Sequence, residues 1–367
     1  FGRRLRTYNH FEQADLVVTF DADPVNPLDN SDSVRHASEI TDRRRILSTN
    51  DSMSRIYAVE SAFTNTGSYA DHRIRLKSSQ IEPFIYALAG RLSQSVQGLE
   101  AFSGVSNEFT NHDWSDRLAA DLLENRGRSL LTAGRLHSPA VHAAIAAINV
   151  ALDNADATVS WLEVPHIEQN SQREAFADLV LELQAGDIDT LLILGANPVF
   201  TAPADYDFQE AIGRAGTVIH LADYYDETSR LSNWHVNRAH FLEAWGDGYS
   251  WGGTRSVIQP QIQPLFGGWS DIELMSLLAT GEGVSGYDLV RETWSDLIDG
   301  PFESGWERIL HDGVHEEDTY QVANVAVTDS FAGEISGSLN AAAIDGFELV
   351  IKPDSTIFDG RYANNSW

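Results

Sequence analysis

Apolar positions follow two rhythms along this chain. Short continuous runs, at residues 15–20 (DLVVTF), 56–59 (IYAV), 129–133 (SLLTA), 159–164, 190–194 (TLLIL) and 217–221, suit strands buried on both faces. Between them, apolar residues three and four apart predict helices over 31–45, 80–92 and 116–123. Ile81, Phe84, Ile85 and Leu88 share one face of the second of these, with Pro83 expected in its first turn. Ser138 and Pro139 open a further helix that runs to Leu152, as an N-cap and a first-position proline. Ser171 and Glu174 form a capping box ahead of Phe176, Leu179, Val180 and Leu183.

Strand and helix in alternation predict an α/β chain with parallel sheets. The expected organisation is two doubly wound, Rossmann-like lobes, residues 1–165 and 166–312, the second extended by helices at 271–279, 287–297 and 303–310. Beyond 313, strands at 321–327 and 347–352 separated by glycine-rich turns predict the start of a truncated β-barrel domain over 313–367. The ends, Phe1 without an initiator Met or leader and Trp367 without terminal structure, read as those of a fragment.

Charge narrows the partners. With 54 Asp plus Glu against 25 Lys plus Arg, the net charge is −29. Arg43, Arg44 and Arg45 form the densest basic run, too small for a nucleic-acid footprint. Lys77 and Lys352 are the only lysines. A carboxylate-rich surface with so few ammonium groups fits work in high salt, and equally a genome that favours arginine codons. The absence of cysteine removes disulfides, thiolate metal sites, iron-sulfur clusters and a cysteine nucleophile from this chain. No apolar run is long enough to span a bilayer.

Few local patterns carry chemistry. Gly195-Ala196-Asn197-Pro198 follows a strand directly, a position where a backbone approaches a phosphate or pterin, although an ordinary turn has the same composition. After the first strand, Asp21-Ala22-Asp23-Pro24 has a similar shape with carboxylates that repel phosphate. His137 with His142, and His235 with His240, are five residues apart and so off a common helix face; with His220 they read as packing or surface histidines. Asp223, Asp226 and Glu227 follow a strand as a cation site would, but read as a solvated loop in so acidic a chain. The tryptophans at 234, 245, 251 and 269 offer ring-stacking surface or aromatic packing, and packing is the preferred reading. No phosphate-binding loop is present.

The ordered blocks DADP, RIYAVES, ADHRIRLKSSQI, LLILGANPVFTAPAD, YYDETSRLSNWHVNRAHFLEAWGD, GTRSVIQPQIQPLFGG and IKPDSTIFDGRYANNSW resemble the molybdopterin-oxidoreductase-like region of the iron-sulfur-bearing subunit of alternative complex III. The run 233–247 (NWHVNRAHFLEAWGD) is the most specific of them. The resemblance implies lobes of the formate dehydrogenase and DMSO reductase type. It also implies a peripheral component on the periplasmic side of the bacterial inner membrane, in a quinol oxidoreductase with multihaem cytochrome and membrane quinol-binding subunits. Iron-sulfur clusters are then expected in a cysteine-rich region beyond Trp367, with no cofactor or metal in this fragment.

Relative to catalytic molybdopterin enzymes, the first tip has Asp21 to Pro24 in place of Gly-x-Asn-Pro. Glu60-Ser61-Ala62 stands in place of Asp-Pro-Arg, and Lys77 to Gln80 in place of Pro-Gly-Thr-Asp. Ala70-Asp71 and Gly195, Asn197 and Pro198 keep the pattern. The expectation is therefore a non-catalytic scaffold with a vestigial pterin pocket at Asp21, Asp23, Glu60, Asp71, Gly195, Asn197 and Pro198, and no catalytic residue. The alternatives are a working molybdopterin bis-guanine dinucleotide enzyme whose metal ligand lies upstream, and a two-lobed soluble ligand-binding protein.

Overall fold

The computed structural model describes residues 1–49, 51–164, 171–315, 320–328, 331–336, 346–353 and 358. Expectations that fall on 354–357 and 359–367, the end of the predicted β-rich region, lie outside the described residues. The chain forms two compact units, one from Phe1–Pro165 with Tyr320–Ser355, the other largely from His166–Thr319.

In the first unit the strands are β1 (Arg6–Asn9), β2 (Leu16–Phe20), β3 (Arg55–Glu60), β4 (His72–Arg75), β5 (Ser129–Ala133) and β6 (Val159–Glu163). A parallel sheet has the order β4-β3-β2-β5. All five residues of β2 are buried because both faces are covered. Leu16, Val18, Phe20, Tyr57, Val59 and Leu131 face a core shared with Leu88 of helix Ser78–Leu92, Leu118 of Asp113–Glu124 and Ile148 of Pro139–Ala151. Val17, Ile56 and Leu130 point the other way, to Phe11, Ile40 and Trp161.

The chain passes from β2 outward to β3 and β4, then returns to lay β5 on the other flank of β2. Ligand crevices in open parallel sheets form outside the carboxyl ends of the strands at such a reversal. Helix Ser78–Leu92 begins two residues before its predicted start, so Pro83 falls in the second turn rather than the first. At this end the Gln80 side chain accepts from the Lys77 N–H at 3.1 Å, and Glu348 accepts from the Ser79 N–H at 3.1 Å and from its hydroxyl. Strand β6 stands outside the parallel sheet and pairs antiparallel with β1 and with Gln321–Val322. The strand expected to open a separate domain after 313 therefore completes a sheet of the first unit, and 346–353 pairs in no ladder.

In the second unit, β7 (Thr190–Leu194), β8 (Thr217–Ala222) and β9 (Trp234–Asn237) form a parallel sheet. The predicted capping box starts helix Gln172–Ala185, and its Val180 and Leu183 pack with Leu191, Ile193 and Val218. An antiparallel sheet of β10 (Gly246–Tyr249), β11 (Arg255–Ile258) and β12 (Val314–His315) follows. Helices Gly286–Ser295 and Phe302–Asp312 pack against Val257 around Val290, Trp294, Trp306 and Ile309. Among the described residues no helix is long and apolar enough to cross a membrane.

One buried histidine is expected to couple the stability of the first unit to acid pH. His36 of helix Ser33–Arg43 packs edge-on against Phe11, accepts from Arg35 at Nε2 (3.0 Å) and is 3.4 Å from the Pro24 carbonyl at Nδ1. Burial, then the Arg35 guanidinium, lowers its pKa to about 4, against the opposing fields of Asp32 and Glu12. The unfolded chain binds this proton below its ordinary value of 6.5, so the stabilisation present above that pH is lost as pH falls towards 4, by about 3 kcal/mol in all. His36→Gln should flatten that part of the stability-versus-pH curve, measured by denaturant titration from pH 7 to 4. An unchanged slope would reject the assignment.

Candidate functional site

The reversal between β2 and β5 brings Asp21, immediately after β2, beside the turn that follows β5. Asp21 has a left-handed backbone (φ 46°), and its N–H donates to the Val59 carbonyl at 2.9 Å. Its carboxylate accepts from the Ser61 N–H at 2.7 Å and from the Ser61 hydroxyl at 2.9 and 3.0 Å. Gly134 donates to the Phe20 carbonyl at 2.8 Å, and a β-carbon at 134 would collide with the Asp21 carbonyl. The two strand tips are thus in direct backbone contact.

Three residues on, the His137 side chain is 8% exposed and Asp21 is 6% exposed, with Nε2 3.7 Å from the Asp21 carboxylate. That nitrogen is buried without a hydrogen-bond partner among the described residues. Burial lowers the His137 pKa, against the opposing pull of Asp21. Around this pair Asp29, Ser78, Arg135, Leu136, Val350 and Lys352 line a cavity of about 20 Å³, room for one water molecule. Burial raises the Asp29 pKa, and Lys352 and Arg135 partly offset that. Lys352 and Val350 come from the extended segment 346–353, held in place where the Lys77 ammonium donates to the Gly346 carbonyl at 2.9 Å and Glu348 caps the helix at Ser79. In this segment Glu348 and Lys352 are half-buried, while Phe347, Leu349, Val350 and Ile351 are exposed.

The other predicted carboxylates have partners within the first unit. Asp23 accepts from the Asn65 and Thr66 N–H groups at 3.1 and 3.0 Å and from the Thr66 hydroxyl at 2.6 Å, fixing the start of helix Asn65–Tyr69. Glu60, at the end of β3, pairs with Arg73 of β4 and accepts from the Thr64 hydroxyl at 2.7 Å. Asp21, Asp23 and Glu60 therefore belong to one cluster of strand tips.

Asp71 does not join them. It precedes β4 and binds the opposite end of the sheet, accepting from the Ile56 N–H at 2.8 Å and from both terminal nitrogens of Arg44 at 2.8 and 3.1 Å. Burial would raise its pKa, but the Arg44 and Ile56 hydrogen bonds prevail and hold it below the ordinary carboxylate value. Four residues along β3 separate that end from the tip, about 13 Å at strand spacing.

In the second unit, Gly195 at the tip of β7 has φ 67°, and a β-carbon there would meet the Arg238 guanidinium at 2.6 Å. Arg238 is paired with Asp271 at 2.6 Å. Asn197 accepts from the Thr228 hydroxyl at 2.7 Å and donates to Glu227 at 2.8 Å. Pro198 opens the short helix Pro198–Thr201. Asp226 caps helix Glu227–Leu231 through the Ser229 N–H. The acidic loop after β8 is thus bound up with its own backbone, and no group of three His, Asp or Glu among the described residues is placed to hold a metal.

His220 is fully buried, with Nε2 2.8 Å from the Ala196 carbonyl and Nδ1 2.9 Å from the Ser229 hydroxyl. A carbonyl only accepts, so Nε2 carries the proton and Nδ1 accepts from Ser229. The Ser229 oxygen is then left to accept from Nδ1 of His235 at 3.0 Å. This is a satisfied packing network with no exposed nucleophile.

Sequence reasoning located the tips at Asp21, Asp23 and Glu60 but missed Arg135, His137 and Lys352. The available signal was Gly134-Arg135, which follows β5 directly as Asp21 follows β2.

No family model and no curated protein matches the chain. Among solved structures, the chain is similar to acetylene hydratase from Pelobacter acetylenicus, at 9% identity and a TM-score of 0.49, over 75% of this chain. The chain spans about half of that protein, 48% of its length.

Proposed function

We propose that this chain is a molybdopterin-oxidoreductase-like scaffold that binds no pterin, a structural subunit of a membrane-associated quinol oxidoreductase of the alternative complex III kind. The observation that carries this reading is the closed reversal point of the first sheet. There Asp21, Asp29, Arg135, His137 and Lys352 line a cavity of about 20 Å³. A pterin dinucleotide needs a pocket of hundreds of Å³, and the small size of this cavity supports the pterin-free reading. In the second unit, Asn197 is already engaged by Thr228 and Glu227.

In this reading electrons travel through iron-sulfur clusters outside the chain, in contact with multihaem cytochrome and membrane quinol-binding subunits. This chain is then a component peripheral to the inner membrane on the periplasmic side, and the family assignment rests on the sequence blocks quoted above. Calorimetric titration with GDP, the guanine half of the dinucleotide, should give no binding heat at up to about 1 mM. Stoichiometric binding with a micromolar Kd would overturn the proposal.

A further inference from the structure

The second unit carries a surface unlike the rest of the molecule. Residues 256–270 (SVIQPQIQPLFGGWS) contain no charged side chain, in a chain that is 22% charged. Leu265 is 68% and Phe266 81% exposed, and Phe241, Leu242, Ile262 and Trp269 are exposed beside them.

This surface is pre-shaped. The Leu242 carbonyl accepts from the N–H groups of Gln261 and Ile262 at 2.7 and 3.2 Å. The Glu243 carboxylate joins the two loops by accepting from the N–H groups of Leu265 at 3.3 Å and His240 at 3.1 Å. Asn237, the last residue of β9, donates from its side chain to the Phe266 carbonyl at 3.2 Å and accepts from the Trp269 N–H at 2.9 Å. The Ala239 N–H donates to the Trp269 carbonyl at 2.9 Å. Exposed aromatic and aliphatic groups depleted of charge have the composition of an interface centre, and loops already fixed in place lose little further freedom on binding.

We infer that Phe241, Leu242, Ile262, Leu265, Phe266 and Trp269 form a docking surface for a different polypeptide, one that presents an apolar strip bordered by arginine or lysine. Charge selects this occupant. Glu243 lies within the patch, and the neighbouring cation Arg238 is neutralised by Asp271. A second copy would bring another chain of net charge −29, and another Glu243, against the same patch. Anionic lipid is disfavoured for the same reason, since membrane-surface binding draws on flanking Lys and Arg. A basic border on the partner complements it. The inference rests on the scaffold reading in requiring a partner, and adds which surface meets it and with what chemistry.

The test places p-benzoylphenylalanine at position 265 of the full gene product in its native cells, with the same probe at exposed Val34 as a control. Irradiation should join position 265 to one different polypeptide, at a peptide with consecutive apolar residues flanked by Lys or Arg. Phe266→Glu should cut that yield about fivefold, the effect of a modest interface hot spot, without lowering the melting temperature. An adduct between two copies, an adduct to lipid, a peptide without basic flanks, or a yield no higher than at Val34 would each overturn the inference. Molybdenum in the same preparation would instead count against the scaffold reading, so the two failures are distinguishable.

Discussion

Arg73→Ala should destabilise the first unit by about 3–5 kcal/mol, because it strands a charge in the interior. Glu60 is only 2% exposed, and its carboxylate is held between the Arg73 guanidinium and the Thr64 hydroxyl at the tip of β3. Removing the arginine leaves the carboxylate without its counter-charge. It also removes the contact of the guanidinium with the Phe63 ring, at 4.7 Å. Changing Glu60→Gln in the same chain should recover part of the loss, since an amide costs less to bury than an unpaired carboxylate. Hydrogen exchange at β3 and β4 is the suitable readout, because a chain of two units need not unfold in one step. A loss below about 1 kcal/mol would place this pair among ordinary surface ion pairs.

Trp306→Ala should cost the second unit about 3–5 kcal/mol, as truncation of a fully buried aromatic does. Trp306 stacks on Phe302 with centroids 6.1 Å apart and an interplanar angle of 11°, and packs against Trp245 and Trp294 at 6.3 Å each. Its indole N–H donates to the Tyr287 hydroxyl at 3.3 Å. Protection should fall in β10 and β11, which pack on the same helices. By contrast Trp234→Ala, at an exposed site, should change stability by no more than about 0.5 kcal/mol. Equal losses for the two would mean that the aromatic residues do not divide into core and surface as described.

The parallel strands were legible because buried faces demand apolar residues: LVVTF and SLLTA stand out whatever surrounds them, and TLLIL stands out although its ends are exposed. Strand β1 reads RTYN and was not legible: only its pairing with β6 makes it a strand. The short strand β4, HRIR, is equally polar. Missing it placed Asp71 at the wrong end of the sheet, since a residue just before a parallel strand lies opposite the tips. At the start of helix Ser78–Leu92 a local cap, Gln80 on the Lys77 N–H, is joined by Glu348 from far along the chain, and no local pattern reports the second. The closure of the reversal point is of the same kind. Asp21 was visible as a strand tip, whereas Lys352 arrives from a segment that pairs in no sheet and is placed by contacts at Lys77 and Ser79.

The closure also gives the acidic composition a local meaning. Asp21 and Asp29 at the reversal are balanced by Arg135 and by Lys352, one of two lysines in the chain. A sheet reversal lined in this way is neutralised from within.

The most direct measurement is the molybdenum and pterin content of the protein isolated from its native cells, by elemental analysis and by fluorescence of the oxidised pterin. A crevice closed by Asp21, His137 and Lys352 predicts no molybdenum above the blank and no pterin emission. One molybdenum per chain accompanied by pterin fluorescence would contradict it.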